Sequence, residues 1–330
     1  MSYALASFII ALLTAAVAMP LLIAISRRIG GLDIPLGDLV IHSDPIPRVG
    51  GLGMGFAVLA SSLFMLVVAP ASEGVEGPFP TAPLLPFSPA VLWPLLAGAA
   101  IAFLGGFWDD LVGQSRRKRH EGLAPPVKFF ILVLAALVAI VLWCVASGFH
   151  LSFSILHLAL CILFLFYLLG GPNSMNLLDG MDGLAGGVGG IAGLSLGVLG
   201  MITGRQDVAL LAFALAGAAA GFLMFNKPPA RIFMGDGGAY LLGFLLAGCA
   251  FSLFRGTVGS FLGPILVLGV PIADTSLAIH RRLVSRSFFK GDRAHTYDLA
   301  RDRWGDRKTL LLFYAAAVIL GALGVAIGVL

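Results

Sequence analysis

Apolar residues run along this chain in long blocks, with the polar residues gathered between them. A bilayer core about 30 Å thick takes roughly 20 apolar residues of helix. Blocks of that length fall at about 3–26, 51–69, 90–107, 127–147, 152–170, 185–203, 208–225, 237–254, 258–279 and 309–329. The pattern predicts an all-α, polytopic integral membrane protein of about 10 transmembrane helices, in which successive connections lie on opposite sides of the membrane.

Composition and charge sharpen this picture. With 59% hydrophobic and 12% charged residues in 330, the chain is not a water-soluble globular protein. Every Lys and Arg except Arg205 and Arg255 falls in the connections 27–50, 108–128, 226–236 and 280–308. The positive-inside rule places these, with 171–184, in the cytoplasm and both termini outside. The net charge of +4 is concentrated on those inner connections, which suits phosphate groups or anionic lipid and not nucleic acid. Cys144, Cys161 and Cys249 lie within predicted spans and read as small hydrophobes, with no disulfide or metal site implied. The first apolar stretch is too long for a signal peptide and is expected to be retained. The outer segment 70–90 is Pro-rich and reads as an extended spacer. Residues 1–330 are expected to form a single integral membrane domain.

Candidate chemistry lies at the inner ends of the spans. A carboxylate at the edge of a lipid-spanning segment is costly and marks a functional candidate. Asp109 and Asp110 close the run AIAFLGGFWDD, where two acids can bind a divalent cation or accept a proton near a phosphate. In GGPNSMNLLDGMDGLAGG, the residues Asn173, Asn176, Asp179 and Asp182 recur at every third position. An ideal helix would turn the ends of that series apart, and the glycines Gly170, Gly171, Gly180, Gly183, Gly186 and Gly187 predict irregular backbone able to approach a ligand. Asp236, in FNKPPARIFMGDGGAYLLG, sits just before an apolar helix, either as its cap or as a site residue, with Phe233 one turn earlier. The segment 280–308 is densely basic, including Arg282 and Arg293, and suits a diphosphate or nucleotide. His295 there stands between Asp292, Arg293 and Asp298, where an imidazole can titrate near neutrality or donate to a phosphate oxygen. His42 and Arg48, in HSDPIPRVGG, complete the set. Asp274 is the one acid expected well inside a span, near its inner end. His120, His150 and His157 read as surface or core residues.

Taken in order, HxxPxPRxGG, DD, NxxNxxDGxDGLAGG, NxPPAxxFMGDxG and SxFxxDRxH resemble the motifs of the polyprenyl-phosphate N-acetylhexosamine-1-phosphate transferases, over about residues 33–298. That family includes the UDP-GlcNAc:undecaprenyl-phosphate GlcNAc-1-phosphate transferases and the phospho-MurNAc-pentapeptide translocases. The resemblance implies that a polyprenyl phosphate attacks the β-phosphorus of a UDP-N-acetylhexosamine, giving a polyprenyl-diphosphate sugar and UMP. It implies Mg²⁺, with Mn²⁺ as a substitute, held by Asp236, with Asp109 and Asp110 matching the acid pair that assists the metal or contacts the lipid phosphate. Asp109, Asp110, Asp236 and His295 take the catalytic positions. Asn173, Asn176, Asp179, Asp182 and Gly183 match the nucleotide- and sugar-contacting loop, and Phe233 the position that stacks on uracil. His42, Arg48, Arg282, Asp292 and Arg293 are the remaining substrate-binding candidates. The location implied is a bacterial inner membrane with the site facing the cytoplasm, and a homodimer is common among such enzymes. The reaction would begin a lipid-linked envelope glycan such as a wall polymer or O-antigen.

The chain also departs from the family. After His295 come Thr296, Tyr297 and Asp298, where further histidines are usual. The run of three histidines of the peptidoglycan translocases is missing, which argues against that branch and makes GlcNAc the expected sugar, with fucosamine- or quinovosamine-type donors as alternatives. Near His42 the residues are Leu39, Val40 and Asp44, leaving Arg48 as the basic candidate, and Phe288 follows Ser287 where Pro is frequent. A transporter is the competing class, and it would place acids near the bilayer midplane.

Overall fold

The computed structural model describes residues 2–29, 32–33, 45–68, 89–115, 122–146, 155–285 and 295–330. His42, Asp292 and Arg293, with His120, His150, Phe288 and the spacer 70–88, lie outside the described residues. The described elements are α1 (Ser2–Ile29), β1 (Leu32–Asp33), β2 (Ile46–Pro47), α2 (Gly50–Val68), α3 (Pro89–Ser115), α4 (Pro125–Ala146), α5 (Ile155–Leu178), α6 (Leu184–Ile202), α7 (Gln206–Asn226), α8 (Gly235–Ser252), α9 (Val258–Val267), α10 (Gly269–Ser285), α11 (Thr296–Trp304) and α12 (Asp306–Val329). The protein is an all-α, multi-pass membrane protein. Among the described residues, seven helices are long and apolar enough to cross a bilayer, and α9 with α10, bent by 76°, makes eight where the pair counts as one broken span. Each predicted apolar block corresponds to a helix or, for 258–279, to this bent pair.

The main differences from the sequence reading concern helix ends. Helix α3 continues six residues beyond Asp109, so the acid pair is helical and not at a solvated end. Helix α5 runs on to Leu178, so Gly170, Gly171, Asn173 and Asn176 are helical too. The expected irregular backbone is confined to residues 179–183, and Gly186 and Gly187 belong to α6. Helix α11 and the two-residue antiparallel pair β1–β2 were not expected.

Helix α8 is the centre of the bundle: every residue from Gly235 to Ser252 is buried. Glycines allow this burial. A Cβ on Gly51 of α2 would lie 2.6 Å from the Gly238 Cα, one on Gly106 of α3 2.6 Å from the Gly237 nitrogen, and one on Gly243 2.6 Å from the Gly171 carbonyl carbon. Lipid does not drive helices together by hydrophobicity, so close backbone packing through small residues does much of that work. The outer helices show the complementary pattern. On α1, Leu5, Ile9, Leu13, Val17, Leu21 and Ile25 form an exposed stripe at four-residue spacing, as a lipid-facing surface requires.

Arg205 and Arg255 lie at the opposite end of the bundle from the other described basic residues. Arg205 donates to the Ser252 carbonyl at 2.6 Å and Arg255 to that of Gly328 at 2.7 Å. Both serve the open carbonyls of helix C-termini, where positive charge is favoured.

Candidate active site

The C-terminal ends of α3, α5 and α7 and the N-terminal ends of α2, α4, α6 and α8 meet at one end of the bundle, and the predicted residues converge there. Helix α8 begins at Gly235, whose φ of 75° is a left-handed value that suits glycine. The next two amides need acceptors that the helix cannot supply. Asp110 provides them, its Oδ1 accepting from the Asp236 N–H at 3.1 Å and its Oδ2 from the Gly237 N–H at 3.2 Å. A carboxylate on α3 therefore caps α8, at the helix end where negative charge is stabilised. Arg48 Nε pairs with Asp110 Oδ1 at 3.2 Å.

Asp236 itself faces two cations. Arg48 reaches its Oδ1 at 3.4 Å and Lys128 Nζ its Oδ2 at 3.0 Å. Lys128 also pairs with Asp109 Oδ2 at 2.6 Å, and the Leu123 N–H donates to Asp109 Oδ1. Three carboxylates, all with side chains at most 10% exposed, are thus held around one ammonium and one guanidinium. Lys128 was not singled out from the sequence. It carries the one charge in the first turn of an apolar helix, where a positive charge opposes the helix dipole. That misfit was the available signal.

The loops beside this cluster are tied to it through backbone. Gly50 and Gly51 donate to the carbonyls of Phe233 and Met234, both at 2.9 Å, and Phe233 N–H donates to Pro47. Asp182 Oδ2 accepts from the Ala230 N–H at 2.9 Å. Buried Asn226 accepts from the Gly183 N–H and donates to the Ile232 carbonyl, each at 2.9 Å. Gly183 has φ 80°, and its carbonyl accepts from Tyr314 Oη at 2.6 Å. Asp182 and Gly183 therefore help to build the loop. Asp179 is half-buried, and its loss of water contact raises its carboxyl above the usual carboxylate range. Arg48 opposes that rise, and Asp236, Asp110 and Asp182 reinforce it.

The other candidates are placed as follows. Asn173 is exposed and donates to the Leu169 carbonyl of its own helix, while Asn176 is half-buried in the last turn of α5. Phe233 is half-buried at the rim. Arg282 lies half-buried in the last turn of α10. His295 is buried at the start of α11 and pairs with Asp274.

Among the described residues no group of three or more His, Cys, Asp or Glu is arranged as a closed metal site. Mg²⁺ does not need one, because it is commonly bound by one or two carboxylates plus substrate phosphates. Asp109 Oδ2 and Asp236 Oδ2 fit that requirement, since they already converge on a single cation, the Lys128 ammonium. Asp110 has both oxygens engaged by α8 and Arg48.

Residues 92–254, which include Asp109, Asp110, Lys128 and Asp236, match the family described as Glycosyl transferase family 4. A phospho-N-acetylmuramoyl-pentapeptide-transferase of Limosilactobacillus fermentum is 33% identical over 239 residues, 72% of each chain. The chain belongs to this family. A probable undecaprenyl-phosphate N-acetylglucosaminyl 1-phosphate transferase of Bacillus subtilis is 27% identical over 298 residues, 88% of this chain and 75% of the relative. A phospho-N-acetylmuramoyl-pentapeptide-transferase of Geobacillus kaustophilus is 28% identical over 294 residues, 86% and 84% of the two chains. The family resemblance drawn from the motifs is thereby borne out, and glycosyl transferase family 4 relatives bear both of the names it led to.

Proposed function

We propose that the protein transfers N-acetylhexosamine-1-phosphate, with GlcNAc as the sugar, from a UDP-sugar to a polyprenyl phosphate such as undecaprenyl phosphate. The observation that carries this reading is the convergence of Asp109, Asp236, Lys128 and Arg48 at one end of a lipid-embedded bundle. A site at that boundary reaches a water-borne nucleotide and a lipid-borne phosphate together. One oxygen of the acceptor phosphate forms a bond to the β-phosphorus. The bond from that phosphorus to the oxygen bridging it to the α-phosphorus breaks, and UMP departs with that oxygen. Phosphoryl transfer of this kind relies on positioning and charge stabilisation more than on covalent help from the protein. Lys128 and Arg48 supply donors to the phosphate oxygens, and Asp109 and Asp236 would hold a divalent cation. When bound, that cation neutralises charge on the diphosphate and on departing UMP. The acceptor phosphate is largely ionised at neutral pH, so no strong general base is required.

The concentration of Lys and Arg beside the site turns it to the cytoplasm of a bacterial inner membrane. GlcNAc is favoured over a MurNAc-pentapeptide because the segment after His295 is Thr296-Tyr297-Asp298 and carries no histidine run. The test is UMP release by the purified protein with undecaprenyl phosphate, Mg²⁺ and a panel of UDP-sugars. UMP is expected only with lipid and divalent cation present, and fastest with UDP-GlcNAc. A faster reaction with UDP-MurNAc-pentapeptide would overturn the sugar assignment. No UMP with any donor, from folded protein, would overturn the reaction.

A further inference from the structure

Asp274 is a carboxylate inside the bent α9–α10 span, with its side chain 1% exposed. Such a group is expensive to keep unless its lone pairs are satisfied. Both oxygens are satisfied, among the described residues by those that open α11. Oδ2 meets His295 Nδ1 at 3.0 Å. Oδ1 accepts from the Thr296 N–H at 3.1 Å and from the Thr296 hydroxyl. The bend at Leu268–Gly269 points α10 toward this contact, and the nine-residue α11 gains an N-terminal cap from it.

His295 is largely buried, and its Nε2 bonds to no described residue yet is not sealed from solvent, so that ring atom is left open. The ring stacks on Tyr297, with centroids 5.2 Å apart, and Tyr297 Oη donates to the Leu177 carbonyl, two residues before Asp179. The imidazole is therefore fixed in angle by a stack, in tautomer by a carboxylate, and in place beside the α5–α6 turn. We propose that Asp274 is a positioning residue for His295: it takes the Nδ1 hydrogen bond, so that Nε2 is the ring atom presented to the phosphates of the substrate. This rests on the transferase reading above. Among the described residues, the other charged groups around the ring are Asp298 and Arg301 on α11, paired with each other at 3.2 Å, and Asp179 across Tyr297. Carboxylate–imidazole pairs elsewhere set which ring nitrogen carries the proton in the same way.

The experiment is a double-mutant cycle on UMP release with Asp274→Asn, His295→Ala and the double variant. Asn nearly matches Asp in shape but can also donate to Nδ1, which reverses the tautomer. Asp274→Asn is expected to lower kcat by about 10- to 100-fold with little change in KM for the donor. In the His295→Ala background it is expected to add almost nothing, because residues acting as one unit are not additive. Thr296→Val removes the cap hydroxyl, leaves the Asp274–His295 bond, and is expected to keep kcat within about threefold. Multiplicative losses in the double variant, or an Asp274→Asn enzyme as active as the parent, would overturn the proposal. If Asp274→Asn does not fold, the same cycle with Asp274→Glu decides by the same additivity criterion. An inactive parent protein would count against the transferase reading, whereas an active parent with an additive cycle would count against this inference alone.

Discussion

Asp109 and Asp110 are adjacent in the chain but have different partners. Asp110 holds the start of α8 through two amides, and Asp109 faces Asp236 across an ammonium. The sequence shows two acids and assigns the same possible roles to both. Asp110 serves an amide 126 positions away, whereas Asp109 shares Lys128, itself 108 positions from Asp236, and these contacts separate the two roles. Lys128 was legible only as a charge misplaced at a helix start and Asp274 only as an acid inside a span, because the fold brings to each the partner that gives it a role, Asp236 and His295. The residues in Gly- and Asp-rich motifs were legible because those types are costly at a membrane edge. Asp179 gives a test at this scale. Burial raises its folded-state carboxyl above the unfolded value, so the folded protein holds a proton that the unfolded chain releases. Stability from this group is therefore intact below about pH 4 and is lost as pH rises toward the folded value. Asp179→Asn, which mimics the protonated acid, should melt above the parent at pH 8, with the gap closing toward pH 4. A gap independent of pH would contradict the environment described for this carboxyl.

Among the elements, α8 decides where the chemistry sits, and glycines set its distances. Gly51→Ala would bring a Cβ against the backbone of Gly238 at 2.6 Å, whereas Gly55→Ala, one turn on, meets only a Leu241 methyl at 3.9 Å. Overpacking against backbone costs about 1–3 kcal/mol or more. Gly51→Ala should therefore lower both the thermal midpoint and UMP release, and Gly55→Ala neither; equal behaviour of the two would refute the close approach. Apolar block length predicted the spanning helices well, because lipid imposes that length. It failed where helices run past the lipid. Helices α3 and α5 continue because polar groups there, such as Asp109 and Asp110, are satisfied by other helices and not by bulk water. The break between α9 and α10 is marked in the sequence by Leu268-Gly269-Val270-Pro271, where Pro271 has no N–H for the helix ladder. Helix α11 is short and polar, and its start depends on a cap from α10, so no hydrophobic period announces it.

At the scale of the molecule, the two ends of the bundle have separate duties. The end bearing Asp236 carries the proposed chemistry. At the other, Asp207 pairs with Arg205 at 3.4 Å, and Arg205 closes the end of α8. Asp236→Asn should reduce kcat by at least about 100-fold. Asp207→Asn should lower the thermal midpoint while keeping kcat within about threefold. A comparable loss of kcat in both would mean that the site spans the bundle. The glycine contacts around α8 bear on one more matter. A carrier that exposes its cargo first to one side and then to the other must let its central helices slide or rock. Here the central helix meets backbone on α2, α3 and α5 at Gly51, Gly106 and Gly243, a close packing that opposes such a stroke. A lipid-linked sugar made at this face would stay in the leaflet where it was made, and its passage to the opposite leaflet would fall to a separate flippase.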